Sequence, residues 1–580
     1  MSSARRRLPF GAELLDGKRT RFRLWAPDAQ RVELLRADNA TIAMTAADDG
    51  WFETTCSAPA GTRYRYRIDD RLEVPDPASR AQDGGIDGPS IVVDAAAYAW
   101  QQPQWRGRRW QDAIIYEMHV GLYGGFAGVA AELEDLAALG ITAIELMPVA
   151  QFPGERNWGY DGVLPFAPAA SYGTPEQLKA LIDAAHALGL MVLLDVVYNH
   201  FGPEGNYLAQ YAQDFFDPSR QTPWGAAIDF KRPQVREFFL ENALYWLHEY
   251  RFDGLRIDAV HAIGDADFMH ELIERAGQDH AGNCRHHLVF ENDDNDAGLL
   301  AEGCTAQWND DAHHVLHVLL TGERAGYYAD YVEHPAAALA RWLAEGFVYQ
   351  GQPMAHRQGR PRGTPSGSLA PIAFVNALQN HDQIGNRAFG DRLIAQADPQ
   401  ALSAAYALLL LIPQIPMLFM GEDWGSARPF RYFTDYRGEL ADAVREGRRR
   451  EFAQFDAFAA TDLPDPNALR TFEASKPDLD ARDNAFRAHI RQLLALRHDA
   501  IIPRLAGTHS LGATELGEAA VDARWRMGDG SILRVAVNLG STALDIDTEA
   551  GTLLHASCAR AQAGDLPAAA CIVWLQAASP

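Results

Sequence analysis

Hydrophobic and polar residues follow three successive patterns along the chain. In residues 8–100, short segments alternate apolar and polar positions or are rich in β-forming residues, and turn clusters such as Asp48-Asp49-Gly50 separate them. The strands predicted there are residues 21–25, 31–35, 51–55 and 64–68. Because no long helical periodicity occurs in this region, the pattern predicts a small β-sandwich.

The pattern changes at Asp112, where strand-like apolar runs begin to alternate with amphipathic helices. Helices are predicted over residues 127–139, 175–188 and 233–250, and glycines mark helix ends at Gly140 and Gly189. The predicted strands are residues 114–120, 143–149, 191–197, 254–257, 288–291, 305–308, 374–378 and 417–420. Eight strands with helical connections predict a closed, parallel (β/α)8 TIM barrel.

Strand-like segments return after Ala500, at residues 532–538 and 571–575. We therefore predict an N-terminal immunoglobulin-like β-sandwich over residues 1–100, a catalytic barrel with inserted loops over 101–500, and a small C-terminal β domain over 501–580. Residues 101–110 are predicted to form a linker. The long segment at 201–229, after the third barrel strand, is expected to help build a site, because loops at that face of a barrel do so.

Composition and charge narrow the function classes. Of the 580 residues, 47% are hydrophobic and 22% charged, which is typical of a globular protein. The net charge of −25 argues against nucleic acid or anionic membranes as partners. The longest apolar candidate for a membrane span, residues 401–420, is interrupted by Pro413 and Pro416.

Targeting and redox signals point to one compartment. The basic residues 5–7 are not followed by an apolar stretch, so no secretory signal is predicted. The five cysteines are scattered and form no CxxC pair. Together these features predict a cytoplasmic protein with reduced thiols.

Four short segments run from an apolar strand into polar residues. They are DVVYNH at 195–200, GLRIDAVH at 254–261, VFEND at 289–293 and ALQNHD at 377–382. Because the carboxyl ends of barrel strands meet at one face, we expect Asp258, Glu291 and Asp382 to converge in one pocket. A retaining glycosidase needs such a set, with a nucleophile, a general acid of raised pKa and a third carboxylate.

Each carboxylate also has a simpler interpretation. Arg256 and Asp258 lie two apart, so both point into the barrel, where the arginine would keep the aspartate ionised; the alternative is a structural ion pair. Glu291 follows apolar residues, and desolvation would raise its pKa as a general acid requires; the alternative is a solvated strand cap. Asp382 would bind sugar hydroxyls or cap a loop.

Histidines and aromatic residues complete the candidate site. His119, His200 and His381 each fall near a strand end, which favours a ring of hydroxyl-binding groups, although single histidines are usually structural. No HExxH spacing supports a metal site. Tyr160 and Trp224 are the preferred sugar-stacking residues, and loop packing is their alternative role.

These four segments, in this order, resemble the conserved-sequence regions of the α-amylase superfamily of glycoside hydrolases. Further segments resemble one group within it, the maltooligosyltrehalose trehalohydrolases. They are residues 147–154, 157–162, 199–207, 222–225, 306–314, 321–328, 379–387, 419–422 and 444–448.

The resemblance implies hydrolysis of the α-1,4 bond next to the terminal trehalose unit of maltooligosyltrehalose, with release of trehalose. It assigns Asp258 as nucleophile, Glu291 as acid/base and Asp382 as transition-state stabiliser. It places Arg256, His200, His381 and Tyr160 around the sugar on the non-reducing side of the cut. His261, just past the nucleophile, is expected to face the leaving trehalose.

Within the superfamily that the chain resembles, some members bind a metal ion and others have different activities. Many α-amylases bind calcium through an Asn at the position of Asn199, but no acidic loop accompanies it here, so neither a metal nor a cofactor is predicted. A glucan-branching or debranching enzyme is the alternative enzyme. A non-catalytic glucan-binding protein is disfavoured, because all three carboxylates are present.

Overall fold

Eight parallel strands close into a barrel at the centre of the chain. The computed structural model describes residues 7–222, 225–278, 286–453, 463–547, 551–558 and 564–578. The barrel strands are β1 (Ile115–Met118), β2 (Ala143–Leu146), β3 (Met191–Val196), β4 (Gly254–Ile257), β5 (His287–Phe290), β6 (Ala306–Trp308), β7 (Phe374–Ala377) and β8 (Ile415–Phe419). The ring closes where Ile115 of β1 pairs with Met417 of β8. The predicted fold class, with its eight strands, is confirmed.

Helices surround the barrel in alternation with the strands. Those after β1 to β7 are Phe126–Leu139, Pro175–Ala187, Pro233–His248, Ala266–Gln278, Ala297–Ala301, Asp310–Thr321 with Pro335–Glu345, and Pro399–Leu411; those after β8 are Gly438–Ala453, Leu469–Ser475 and Asn484–Leu496. Local sequence fixes their ends: Thr174 and Gln177 form a capping box at the start of the second helix, and Gly140 (φ 112°) ends the first. Across the described ranges, no helix is long and apolar enough to cross a membrane.

The interior of the barrel has an apolar floor and a polar upper layer. The floor contains Ile115, Ala143, Met191, Leu193, Val289, Ala306, Val375, Ile415 and Met417. One inward position further along, towards the carboxyl ends of the strands, the buried residues are Glu117, Glu145, Asp195, Arg256 and Trp308. The candidate site therefore rests on ionisable and aromatic side chains that are held inside the barrel.

The N-terminal domain is a sandwich of two antiparallel sheets. One sheet has the order Gly11–Leu14, Arg19–Trp25, Trp51–Ser57, Thr45–Ala46, and the other Thr41–Ala43, Val32–Arg36, Arg63–Ile68, Leu72–Val74, with Ser90–Ile91 beside Arg63–Ile68. The alternation seen in the sequence places Phe22, Val32 and Tyr66 in the core between the sheets.

This sandwich packs on the insertion that follows β3. The insertion contains the turns Leu208–Gln210 and Gln213–Phe215 and a hairpin of Phe216–Thr222 with Gly225–Ile228. Asp28 of the sandwich donates its backbone N–H to the carbonyl of Tyr211 (3.1 Å), and its carboxylate accepts the backbone N–H of Gln213 (2.7 Å). These contacts fix the base of a loop that lies near the candidate site.

The C-terminal domain is built on one five-stranded antiparallel sheet. Its order is His509–Gly517, Ala520–Arg526, Ile532–Asn538, Ala570–Gln576, Thr552–Ala556, and Leu544–Asp545 pairs separately with Asp565–Leu566. The barrel helix Pro399–Leu411 packs against Ile532–Asn538 and Ala570–Gln576. The predicted C-terminal β domain is thus present.

Candidate active site

A cavity of about 590 Å³ opens beyond the carboxyl ends of the barrel strands. Its lining residues are Trp158, Tyr160, Asp161, Asn199, His200, Asp258, Ala259, His261, Ala262, Glu291, Asp382, Asn386, Tyr432, Val444, Gly447, Arg448 and Glu451. Six of the ten predicted site residues are among them. Asp258, Glu291 and Asp382 therefore face one cavity, although 124 residues of sequence separate the first from the last.

Arg256, at the end of β4, lies beneath this cavity and is fully buried. Its Nη1 donates to Oδ1 of Asp258 at 2.7 Å and to Oδ2 of Asp195 at 2.8 Å, and its Nη2 is 3.1 Å from Oε2 of Glu291. The ring of Trp308 lies 4.2 Å from the guanidinium carbon. Because a buried charge is costly unless it is paired, one arginine holds three carboxylates of adjacent strands together.

The carboxylate of Asp258 is oriented on both sides. Arg256 contacts Oδ1, and the side-chain amide of Asn199 donates to Oδ2 at 3.3 Å. The backbone N–H of Asp258 donates to the carbonyl of Val196 at 3.0 Å, which extends the pairing of β4 with β3. The side chain is therefore held at the cavity edge by groups from two strands.

Glu291 follows β5 directly and is held by the turn after Asp258. Ala259 has a left-handed conformation (φ 42°), and its backbone N–H donates to Oε2 of Glu291 at 2.7 Å. A non-glycine residue in this conformation is strained by about 1–3 kcal/mol. Burial raises the pKa of Glu291, Arg256 opposes that rise and Asp258 adds to it. A carboxyl that retains its proton to higher pH than a free carboxyl is suited to general acid catalysis.

Asp382 lies in the first turn of the short helix His381–Gly385. Asn380 caps this helix, and its Oδ1 accepts the backbone N–H of Asp382 at 2.9 Å. Enclosure in the cleft raises the pKa of Asp382, His381 opposes the rise and Glu291 adds to it. The interpretation as a capping residue is thus incomplete, since Asn380 is the N-cap and the Asp382 carboxyl faces the cavity.

His381 is buried behind the cavity between charged and polar partners. Its Nδ1 forms a short contact with the carboxylate of Glu117, and its Nε2 lies 2.7 Å from the Tyr160 hydroxyl. That hydroxyl donates to Asp195 at 2.6 Å, so it accepts from the imidazolium. Burial lowers the pKa of His381, but Glu117 and Asp382 outweigh it and raise this pKa to about 9. The ring is therefore a cation at neutral pH.

His200 and His261 line the cavity at different positions. His200 has Nδ1 2.6 Å from Oδ1 of Asn199 and Nε2 2.9 Å from the carbonyl of Tyr160, and burial lowers its pKa. His261, in the turn Val260–Ile263, accepts the backbone N–H of Asp293 on Nδ1 at 3.2 Å. His261 thus contacts the loop that follows Glu291.

Two predicted site residues are not part of this arrangement. His119 is buried, its Nε2 lies 2.9 Å from the carbonyl of Asn157 and its Nδ1 accepts the backbone N–H of Leu122. Burial lowers its pKa to about 4. Its ring therefore supports two loops and does not line the cavity. Trp224 lies outside the described residues.

Several neighbours of the site were not assigned from the sequence. Glu117, Asp195 and Asn199 contact His381, Arg256 and Asp258, and their inward strand parity or strand-end position could have indicated this. Asp310, at the start of the helix after β6, has a pKa that burial and the nearby Glu291 raise to about 7. In the described part of the chain, no group of three or more His, Cys, Asp or Glu residues is placed to hold a metal ion.

Family models match three parts of the chain. Residues 104–226 match the catalytic domain of alpha amylase, and residues 9–79 match carbohydrate-binding module 48, the isoamylase N-terminal domain. Residues 508–573 match a domain of unknown function, DUF3459. The barrel, the converging carboxylates and these matches define a catalytic domain of the α-amylase type.

Curated relatives narrow the assignment. The malto-oligosyltrehalose trehalohydrolase of Deinococcus radiodurans is 42% identical over 83% of this chain and 82% of its own length. The enzyme of the same name from Saccharolobus solfataricus is 40% identical over 85% of this chain and 87% of its own. The chain belongs to the malto-oligosyltrehalose trehalohydrolase family. A branching enzyme of Corynebacterium jeikeium is 34% identical, but over 45% of this chain.

Solved structures share the whole architecture. A crystal structure titled as a putative alpha amylase from Salmonella typhimurium has 44% identity and a TM-score of 0.93, over 98% of this chain and 99% of its own. A pullulanase from Anoxybacillus sp. complexed with maltotetraose has a TM-score of 0.71 at 19% identity, over 98% of this chain and 87% of its own. The second likeness concerns the fold alone.

Proposed function

We propose that this enzyme hydrolyses the α-1,4-glucosidic bond next to the terminal trehalose unit of maltooligosyltrehalose and releases trehalose. The observation that carries the proposal is the convergence of Asp258, Glu291 and Asp382 on one cavity over Arg256, in a chain of this family. Loss of any of these groups would have favoured a binding protein instead.

The reaction proceeds by double displacement with retention of configuration. Asp258 attacks the anomeric carbon while Glu291 protonates the departing oxygen, so the C–O bond to trehalose breaks as the glycosyl-enzyme ester forms. Glu291 then takes a proton from water, whose oxygen attacks the same carbon and releases Asp258. The pKa of Glu291, raised by burial, suits this double role.

Groups around the reacting sugar orient it and stabilise the transition state. Asp382 accepts hydrogen bonds from sugar hydroxyls, and these strengthen as the ring flattens. Tyr160 presents its ring to the cavity and is fixed from behind by Asp195 and His381. His200 lines the same side. Arg256 contacts both the nucleophile Asp258 and the acid/base Glu291 and so holds them in fixed relative positions.

The leaving trehalose occupies the other side of the cleft. His261 and the loop at 292–296 border it, since His261 accepts the N–H of Asp293. Trp224, which lies outside the described residues, stays a candidate for binding the leaving trehalose on the strength of the sequence alone. His119 has no role in substrate binding here, because both ring nitrogens are engaged by the backbone.

The test compares two substrates that differ at one end. Trehalose-capped and plain maltooligosaccharides of equal length are incubated with the enzyme, and the released sugars are identified by chromatography. We expect the enzyme to release free trehalose from the capped substrate, and to cleave that substrate faster than the plain one. Longer or branched products would indicate the transferase alternative, and equal rates on both substrates would refute the trehalohydrolase assignment. The Asp258→Asn variant controls for contaminating activity.

A further inference from the structure

Glu145 is a buried carboxyl beneath the candidate site that the proposed mechanism does not use. It lies on β2 with 1% of its surface exposed. Among the described residues, neither of its carboxyl oxygens has a hydrogen-bond partner. A buried charge without a partner is costly, so this environment favours the neutral form of the carboxyl.

The groups around Glu145 are already paired with one another. Glu117 lies on β1, in register with Glu145 on β2. The carboxylate of Glu117 accepts hydrogen bonds from Nδ1 and from the backbone N–H of His381. Asp195, on β3 at the other side, accepts two contacts from Arg256 and one from the Tyr160 hydroxyl. The two cations beneath the cavity are thus already engaged, His381 by Glu117 and Arg256 by Asp195, Asp258 and Glu291.

The charges decide the state of the remaining acid. If Glu145 were ionised, it would add a further anion that has no hydrogen-bond partner among the described residues, at the same level as the Glu117 carboxylate on the adjacent strand. Desolvation and like charges both disfavour that state. Burial, Glu117 and Asp195 raise the pKa of Glu145 well above its usual value, against the opposing effect of Arg256 and His381.

We propose that Glu145 stays protonated in the folded enzyme, so that no further carboxylate competes for His381 and Arg256 beneath the cavity. With Glu145 neutral, Glu117 holds His381 beside Tyr160, and Asp195 holds Arg256 beneath Asp258 and Glu291. The protonation of Glu145 affects the stability of the fold whatever the substrate is.

The protonation state of Glu145 determines how the stability of the fold changes with pH. A carboxyl that is protonated in the folded protein but ionised in the unfolded chain destabilises the fold increasingly as pH rises above its usual pKa. Glutamine has nearly the same shape and cannot ionise. The melting temperature of Glu145→Gln should therefore exceed that of the wild type by a few degrees at neutral pH, with a difference that grows towards alkaline pH.

Glu117→Gln is the matched control, because it makes the same change at the same level of the adjacent strand. It removes the anion of His381, so melting temperature should fall, and kcat on the trehalose-capped oligosaccharide should fall by about a hundredfold at little change in KM. Glu145→Gln should retain kcat and its pH profile within about threefold. A lower melting temperature for Glu145→Gln, a difference independent of pH, or equal damage by both variants would overturn the proposal.

Discussion

Nη1 of Arg256 lies 2.7 Å from Oδ1 of Asp258, two residues further along the same strand end. The pairing follows from strand geometry, since positions two apart point to the same face. The same guanidinium also contacts Glu291, which follows the neighbouring strand β5, so it links the two carboxylates. One buried side chain therefore contacts both the proposed nucleophile and the proposed acid/base.

Removal of the proposed nucleophile should abolish turnover. Asp258→Asn keeps the size of the side chain but not the ester-forming oxygen, so kcat should fall on the order of 10⁴-fold or more. Initial rates on trehalose-capped oligosaccharide measure this, with melting temperature as the check of folding. Asp442→Asn, an exposed position on the helix Gly438–Ala453, is the matched control and should keep its rate. Turnover near the wild-type level in a folded Asp258 variant would exclude the assigned role.

The product should form with the α configuration. Retention requires carboxyl groups about 5–5.5 Å apart, whereas inversion requires roughly 6.5–9.5 Å to admit a water molecule. Proton NMR in the first minutes of reaction, before mutarotation, distinguishes the two anomers of the product that does not contain trehalose. An initial β anomer would contradict the two-step mechanism.

The alkaline limb of the rate profile should report Glu291. Because burial raises its pKa, it stays protonated to higher pH than a free carboxyl, and activity declines as pH rises through that pKa. Glu291→Gln should lose about 10²–10⁴-fold on the natural bond. The loss should be smaller on a substrate whose leaving group needs no proton. Equal losses on both substrates would argue against general acid catalysis by this residue.

His381 should link stability to pH. The pKa of His381 in the folded protein, about 9, lies above the usual histidine value. Its contribution to the stability of the fold is therefore fully present at pH values below the usual histidine pKa and is lost as the pH rises through 9. The stability difference between wild type and His381→Gln should shrink over that window, as measured by denaturant unfolding at several pH values. His509→Gln changes an exposed histidine and should show no such trend. A difference constant from pH 6 to 10 would mean that the ring is not a cation.

Discrimination between substrates should depend on the leaving side of the cleft. Plain and capped oligosaccharides differ beyond the first sugar past the cut, so His261→Ala should lower kcat/KM for the capped substrate by about tenfold and that for the plain one less. Trp224→Ala should act in the same direction. The ratio of the two kcat/KM values is the measurement, and an unchanged ratio in both variants would place recognition elsewhere.

Much of the architecture could be predicted from the residue pattern. Two-residue alternation in the first hundred residues and strands alternating with capped helices after Asp112 determine which faces are buried, because local periodicity and burial are coupled. The carboxyl-end rule for parallel strands was enough to bring Asp258, Glu291 and Asp382 to one face. Sequence likewise determined the family, through similar segments that extend well beyond the four strand-end segments.

The tertiary structure decided which groups meet. His119 and His381 both lie near strand ends, yet backbone groups engage both ring nitrogens of His119, whereas Glu117 makes His381 a cation. Glu117 and Glu145 are alike in sequence context, but Glu117 is hydrogen-bonded to His381, whereas the Glu145 carboxyl is hydrogen-bonded to no group among the described residues. These differences arise from distances of a few ångström between strands far apart in sequence. Charge pairing inside a barrel depends on such distances, which a linear pattern does not contain.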